Sequence, residues 1–517
     1  MDSAAATVFL FLGNKYQWTR LSTTPANAPI LQAVHWNEHD FTGPMNFQVV
    51  RSLQEDILNY LEENGHPFGR VFLDSIAIAG QDVSAHLAIA PGPLYRIDSI
   101  RVFGDVRISN EFLQRYLDIP NGSLYNQKKL SKISEKLALL SYLEEDRSSD
   151  VSMLASGSVL NLHLKPKKTS QINALIGFLP NSSSGQGGSQ KLRLTIDANV
   201  LLRNALGSGE TIGLLWQQLQ QSSPRLNLLF EQPYVFHSAF GIEFSLDMYK
   251  RDSSFLNLNM NLGTSYHVTD RKTASIFLQR RQTILNNINT AQVVQTRQLP
   301  NDADVSSLNL GVTFAYNSTD YQFNPKSGSD ISITTTAGTK TIKKNQQILE
   351  LKDPGDPAFK FETLYDTIKP KMYQLRAVAA LAHYFPTGRQ STLKTAVHTG
   401  IYQSVRYFRN ELFQIGGYKL LRGFDEESQF VSQYAIGTIE YRYLIGSKSA
   451  FFGFVDGGYG KHMLEVNPNH TYISTGLGLS FETQAGIINL AWAVGRRNDL
   501  DFNLRQSKLH LGFASYF

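Results

Sequence analysis

From about residue 168 to its end, the chain repeats in twos. The clearest stretch is FLNLNMNLG, residues 255–263, where Leu256, Leu258, Met260 and Leu262 alternate with Asn257, Asn259 and Asn261. Side chains of a strand alternate between its faces, so one face here meets an apolar medium and the other meets water. Related patterns occur in KLRLTIDANVLL (191–202), SSLNLGVTFAY (306–316), GTIEYRYLIG (437–446), TYISTGLGLSF (471–481) and KLHLGFASYF (508–517). Turn-forming clusters separate them, among them NALGSGE, NPKSGSD, DGGYG and GRRND. Roughly 350 residues at roughly 22 per strand and turn give about 16 strands, an even number of the kind that transmembrane barrels favour. Trp216, Tyr234, Phe236, Tyr384, Phe385, Tyr441 and Tyr443 fall near the predicted strand ends, where interfacial aromatic girdles sit. A soluble β-sandwich or propeller is the alternative. The amide-bearing inner face and the lack of a blade-sized repeat weigh against it.

The residues before 168 have a different period. NFQVVRSLQEDILNYLEENG (46–65) offers Asn46 as an N-cap, a stripe of Val50, Leu53, Ile57 and Leu61, and Gly65 as a stop. Two strand-like runs follow, RVFLDSIAI (70–78) and DVSAHLAIA (82–90). The order then recurs. LYRIDSIRVFG (94–104) reads as a strand, and SNEFLQRYL (109–117) as a helix capped by Ser109 with Phe112, Leu113 and Tyr116 together. NQKKLSKISEKLALL (126–140) puts Leu130, Ile133, Leu137 and Leu140 on a second helical stripe, and DVSMLAS (150–156) and VLNLHLK (159–165) close the unit as strands. The sequence therefore predicts two small α+β domains of β-α-α-β-β order, at 1–92 and 93–167, before a barrel at 168–517. The start of the first is expected to be irregular, because 14–44 carries Trp, Pro and Asn. AAATVFLFL (4–12) has the length of a signal-peptide core but has Asp2 where a basic flank belongs, and reads better as a strand. If the protein is exported, the first residue here is not expected to be the precursor start.

Composition narrows the chemistry. A net charge of +5 without a Lys/Arg block gives no basis for nucleic-acid binding. With no cysteine there is no disulfide framework and no thiolate metal site. No run of about 18 apolar residues predicts a membrane helix. There is no G-x-S-x-G, no H-E-x-x-H and no phosphate loop, so no catalytic residue, metal or cofactor is expected. GQGGS (185–189) reads as a flexible turn, and lone histidines such as His163 and His267 as structural. Residues 339–370 form a long, polar, Pro-bearing insertion that reads as a solvated loop.

Several motifs, taken in order, resemble those of the BamA/TamA-like outer-membrane proteins, which carry POTRA domains of β-α-α-β-β order before a 16-stranded barrel. NALGSGE (204–210) resembles that family's early turn, and FEQPYVF (230–236) its next strand end. STDYQFNPKSGSDISI (318–333) resembles its Asp, Asn-Pro and Gly turn. GGYKLLRGF (416–424) is similar to the tip of its lumen loop, with Leu421, Arg422, Gly423 and Phe424 as the motif, and FFGFVDGGYG (451–460) to its late strand with an inward aspartate. The resemblance implies that Arg422 points into the lumen toward Glu440 and Asp456. A guanidinium in a narrow lumen needs anionic partners, and its planar fork serves two carboxylates at once. On the last strand Leu509, Leu511, Phe513 and the terminal Phe517 share a face, similar to an outer-membrane assembly signal, with Ser515 the departure from it.

The resemblance further implies an outer-membrane assembly or translocation factor with its POTRA domains in the periplasm, acting on unfolded outer-membrane or secreted client proteins in contact with the lipid bilayer. A periplasmic or inner-membrane-spanning partner is a further expectation. The short POTRA count points to a TamA-like factor. A two-partner-secretion type exporter of one dedicated protein is the alternative, ahead of a passive porin or receptor. In the first reading the barrel opens between its first strand, near SQINALIGF (170–178), and its last. Gly177 and Gly512 lack packing side chains at that seam, which ends at Phe517.

Overall fold

The computed structural model describes Thr7, Phe9 and residues 13–514, apart from 37–40, 42, 155–156, 168–169, 180–192, 221–222, 252–253, 270, 322–323, 447–448, 484–485 and 500–503. The chain divides into two compact units, Met1–Lys167 and Lys168–Phe517.

The first unit holds two sheets of the same design. One is built from β1 (Gln17–Thr23), β2 (Gly43–Pro44), β3 (Arg70–Ala79) and β4 (Asp82–Ala90), in the order β2-β1-β4-β3. The helices α1 (Ala28–Ala33) and α2 (Phe47–Glu63) fall between β1 and β3. The other is built from β5 (Arg96–Phe103), β6 (Ser123–Leu124), β7 (Leu143–Leu154) and β8 (Gly157–Pro166), in the order β6-β5-β8-β7. Its helices are α3 (Asn110–Leu117), α4 (Gln127–Leu130) and α5 (Ile133–Leu139). In each sheet the first long strand pairs in parallel with the last, which requires the helical crossover between them. Asn46 caps α2 by accepting from the Gln48 amide, and Val50, Leu53, Ile57 and Leu61 are buried against Trp18, Val83 and Leu87. Ser109 caps α3 in the same way through Phe112. His163 is structural: its Nε2 lies 2.9 Å from Asp150 and its ring stacks on Phe103.

Three local expectations change. The first strand is Gln17–Thr23; of residues 4–12, only Thr7 and Phe9 are among those described, and neither is in a strand. A bulge between Trp18 and Arg20 shifts the register, so Trp18 and Leu21 both point inward although they are three residues apart. A strict period of two cannot show that. Strand β7 starts at Leu143 and runs through the charged stretch EEDRSSD with two register shifts. The predicted stripe at 130–140 is split into α4 and α5, and Leu140 lies outside both.

The second unit is a sixteen-stranded antiparallel sheet. Its strands are β9 (Gln171–Leu179), β10 (Arg193–Arg203), β11 (Thr211–Gln220), β12 (Ser223–Gln232), β13 (Phe240–Arg251), β14 (Phe255–Thr269), β15 (Lys272–Leu285), β16 (Asp304–Asn317) and β17 (Gly328–Lys343). The series continues with β18 (Met372–Pro386) and β19 (Ser391–Ser404). A short hairpin, β20 (Phe413–Ile415) and β21 (Gln429–Val431), interrupts it before β22 (Gln433–Leu444), β23 (Ala450–Lys461), β24 (Asn469–Thr483), β25 (Gly486–Arg497) and β26 (Lys508–Ala514). Apart from that hairpin, every strand pairs with its neighbours in sequence. Ile276, Leu278, Leu308, Leu310, Ile439, Ile473 and Leu477 are each more than half exposed. An apolar surface of that extent belongs in a bilayer. Of the predicted girdle, Phe236, Phe385, Tyr441 and Tyr443 are exposed, whereas Tyr384 is buried with the Arg442 guanidinium over its ring.

The inner face carries a belt of neutral polar groups at one level. Asn261 donates to Ser245 (2.9 Å), Gln279 to Asn261 (3.1 Å), Asn309 to Gln279 (3.1 Å) and Gln374 to Asn309 (2.7 Å). Each link joins cross-strand neighbours except the last, which passes over Gly338, the register partner of both Asn309 and Gln374. The missing side chain at 338 is what lets these two amides meet.

At the end of the sheet away from where β9 starts and β26 ends, two long connections pack together. Residues 286–303 contain α6 (Thr290–Thr296), and 344–371 contain α7 (Gln346–Leu349). Phe255, Leu285, Ile288, Val293, Ile348, Phe361 and Tyr365 form one buried cluster across them. Arg297 grips Asp353 (2.9 and 2.6 Å) and stacks on Phe359. The Gly355 amide and the Arg297 guanidinium together hold the Asp353 carboxyl below its usual range. The insertion at 339–370 is therefore not a solvated loop. Its first residues extend β17, and its irregularly spaced Ile348, Phe361 and Tyr365 make an apolar core that periodicity does not reveal.

Adding a Cβ at Gly338 would bring it 2.1 Å from the Leu308 carbonyl oxygen and 2.6 Å from Asn309. Gly338→Ala is expected to destabilise the barrel by about 1–3 kcal/mol. The check is the temperature at which the compact band converts to the unfolded band in semi-native electrophoresis. An unchanged temperature would show that the wall relaxes freely at this point.

Candidate functional site: the lumen loop and its anchors

The connection from β19 to β22, residues 405–432, folds against the inner wall. Its base is apolar: Ile415, Leu421 and Val431 are buried with Tyr434, Ile436 and Tyr472, and Phe413, Leu420 and Phe424 pack against them. Its tip is GGYKLLRGF. Gly416, Gly417, Leu421 and Gly423 all have positive φ, so the tip is a series of left-handed turns. Leu421 (φ 84°) adopts this backbone against the preference of an L-residue and is held there by burial. Gly423 has a second reason to be glycine: a Cβ would sit 2.8 Å from the Gly495 nitrogen on β25.

Arg422 is 6% exposed. Its Nε and Nη2 donate to the two oxygens of Asp456 at 2.9 and 2.7 Å, and Nη1 donates to Glu440. The Arg422 backbone amide also donates to Asp456 (3.1 Å), and the guanidinium lies 3.4 Å from the centroid of the Phe454 ring. Thr438 completes the Asp456 shell at 2.8 Å, and Arg442 donates to the other oxygen of Glu440 at 2.6 Å. Every oxygen of the two carboxylates thus has at least one donor, the condition under which buried charge is tolerated. The structure brings Arg422, Glu440 and Asp456 together. Leu421 is in the loop core, and Phe424 meets Tyr472 edge-on at 5.4 Å.

A second anchor holds the first limb of the loop. Glu411 accepts from Lys340 Nζ (2.6 Å) and from the Tyr402 hydroxyl (2.8 Å). Lys340 is fully buried and also donates to the Arg406 carbonyl (2.7 Å). Arg376 donates to the Glu411 carbonyl and lies between the Tyr402 and Phe413 rings, 4.6 and 4.3 Å from their centroids. On the far side, Arg251 of β13 donates to Gln414 (2.9 Å). One loop therefore touches β13, β18, β22, β23 and β25, which is possible only if the sheet is rolled around it.

The sequence reading did not pick out Arg442, Lys340, Tyr402, Glu411 or Arg376. Arg442 had a signal, since Thr438, Glu440 and Arg442 alternate with exposed Ile439, Tyr441 and Tyr443. Lys340, in TTTAGTK, had none. At the seam, Gly177 pairs with Thr195 in β10 and Gly512 with Asn489 in β25. Phe517 lies outside the described residues. Among the described residues, no ladder joins β9 to β26.

Comparison with known proteins gives consistent results. The model of the Omp85 superfamily domain matches residues 204–513, well over half of the chain. The outer membrane protein assembly factor BamA of Neisseria meningitidis serogroup B is 22% identical over 207 residues, covering 39% of this chain and 24% of that protein. The match thus spans about a quarter of that relative's length. A structure of BamA from Haemophilus ducreyi lacking POTRA domains 1–3 superposes with a TM-score of 0.53 at 14% identity, over 96% of this chain and 98% of that one. CdiB from Acinetobacter baumannii gives 0.57 at 14% identity, over 97% and 89%. CdiB from Escherichia coli gives 0.58 at 13% identity, over 98% and 92%. At these identities the likeness establishes the shared fold: a membrane β-barrel after small α+β domains.

Arg422→Met leaves Asp456 and Glu440 buried with a donor set too small for them. A loss of about 3–5 kcal/mol is expected, with the loop becoming open to protease. Adding Asp456→Asn to that variant is expected to restore part of the loss, because the stranded charge is gone. If the two changes simply add, the pair is not coupled and the latch assignment fails.

Proposed function

This chain belongs to the Omp85 superfamily, and from that premise we propose that it is a non-enzymatic outer-membrane assembly factor of the TamA-like kind. In this reading the barrel opens between β9 and β26 to accept client strands. The observation that carries it is an asymmetry in bonding. The lumen is occupied by a loop fixed through two buried charge clusters and overlaid by packed connections. The two end strands of the sheet have, among the described residues, no ladder between them. The route of least cost to a client is then lateral, past unpaired edges, and not axial through the loop.

Edge pairing supplies the chemistry. An unpaired strand presents a row of amide and carbonyl groups that an extended chain can join. The α+β domains offer the same device. Strand β3 is the edge of its sheet, and its Ile76 and Ile78 are 57% and 63% exposed. A client strand added there would cover both. No covalent step enters this reading; the free energy comes from the client's own pairing and burial. In this reading the clients are unfolded outer-membrane proteins, and the α+β domains meet them in the periplasm.

One observation favours the second reading, export of a dedicated protein. The belt links its amides to one another, so that stretch of the wall has few free hydrogen-bonding groups to hold a passing chain. Displacement of the loop would turn that wall into a conduit.

The chain has no cysteine, so pairs introduced along 171–179 and 508–514, beginning with Leu175 and Leu511, report the seam directly. Crosslinking in cell envelopes with loss of client assembly, restored by reductant, is the expected result. Crosslinking with assembly intact would exclude the lateral route and leave export.

A further inference from the structure

We propose that His510 is a positioning residue that ties the tip of the lumen loop to the last barrel strand, and that it does so only as a neutral imidazole. The Gly423 amide donates to His510 Nε2 at 2.9 Å, and His510 is 8% exposed. A ring nitrogen that accepts carries no proton, and the imidazolium has no acceptor at all. Gly423 follows Arg422, so this bond joins the latched arginine directly to β26. Without it the Gly423 amide is a buried donor with no partner.

The surroundings give a protonated ring nowhere to settle. The charged groups around it are Arg422, Asp425 and Asp456, together with Lys508 on its own strand. Both oxygens of Asp456 already accept from Arg422, and one also from Thr438. Asp425 is paired with Lys508 at 2.8 Å, on the exposed flank of the contact. Across the ladder, His510 faces Ala491, which carries no charge. Protonation therefore removes an acceptor and adds a second cation beside Arg422, with no carboxylate among these left to take the new proton. The exposed Lys508–Asp425 pair is too weak to hold the tip alone. Loop and last strand uncouple as the pH falls through the imidazole range, while Arg422 keeps its own carboxylates. This inference concerns the contact itself and holds whether the barrel inserts clients or exports them.

The test is hydrogen exchange of loop peptides spanning 416–428, measured by mass spectrometry on the full chain in lipid nanodiscs. Measurements would run from about pH 7.5 to 4.5, reaching well below the ordinary imidazole value near 6.5 because the ring is buried. Heat-modifiable mobility in electrophoresis verifies the folded barrel in each sample. After correction for intrinsic exchange, the wild-type loop should lose protection by up to about tenfold per pH unit, the slope of a one-proton linkage. His510→Gln supplies an amide oxygen that accepts at every pH, so its loop should stay protected throughout. The proposal is overturned by a wild-type profile that is flat, by His510→Gln following the wild-type slope, or by His510→Gln lacking protection at all pH values.

Discussion

A guanidinium buried between two carboxylates is the contact on which the rest of this barrel depends. Arg422 has nowhere else to go: it is nearly inaccessible to solvent, and Asp456 alone takes three of its N–H groups, counting the backbone amide. Such a cluster is a weak source of net stability, since desolvating the ions costs about as much as their attraction returns. What it gives is uniqueness. This placement of the loop pairs the Arg422 donors with both carboxylates, and it goes with positive φ at Gly416, Gly417, Leu421 and Gly423. The loop in turn touches strands from both halves of the sheet. The ion cluster thus fixes a loop, and the loop fixes the inside of a barrel.

Much of this was readable in the residues. The alternation in FLNLNMNLG states that one face is apolar and the other polar. The structure puts Asn257 and Asn261 in inward hydrogen bonds and leaves Met260 and Leu262 exposed. Cap residues and apolar stripes located α2 and α3 because those signals are local. The features that escaped are non-local or break the period. Trp18 and Leu21 share a face because of a bulge. The cap over the lumen is held by Ile348, Phe361 and Tyr365, whose spacing follows neither a helix nor a strand. Lys340 in a threonine-rich strand gives no hint of Glu411, which lies 71 residues away in sequence. His510 reads as one polar residue in an apolar strand. Its meaning depends on a glycine amide 87 residues earlier.

The two glycines that matter most act by what they lack. Gly338 lets Asn309 and Gln374 bond across a strand that lies between them, so the amide belt runs unbroken from β13 to β18. From there Tyr402 carries it to Glu411 and the loop. Gly423 lets the loop tip lie against the backbone of β25. One absence stiffens the wall opposite the seam; the other brings the loop within reach of the seam itself.

These two regions divide the barrel into parts with different freedom. From β13 to β19 the wall is tied by cross-strand ladders, by the amide belt and by the packed connections above it. At β26 the ties among the described residues are a seven-residue ladder to β25 and the contacts of the loop tip. Because the loop is anchored on both limbs, by Glu411 near its start and by Arg422 near its tip, release of the tip from β26 does not require the loop to leave the lumen. The proposed lateral reading requires a strand to be freed at the seam while the lumen stays filled. That reading needs such a separation, and two charge clusters at different points of the loop, around Glu411 and around Arg422, are an arrangement suited to it.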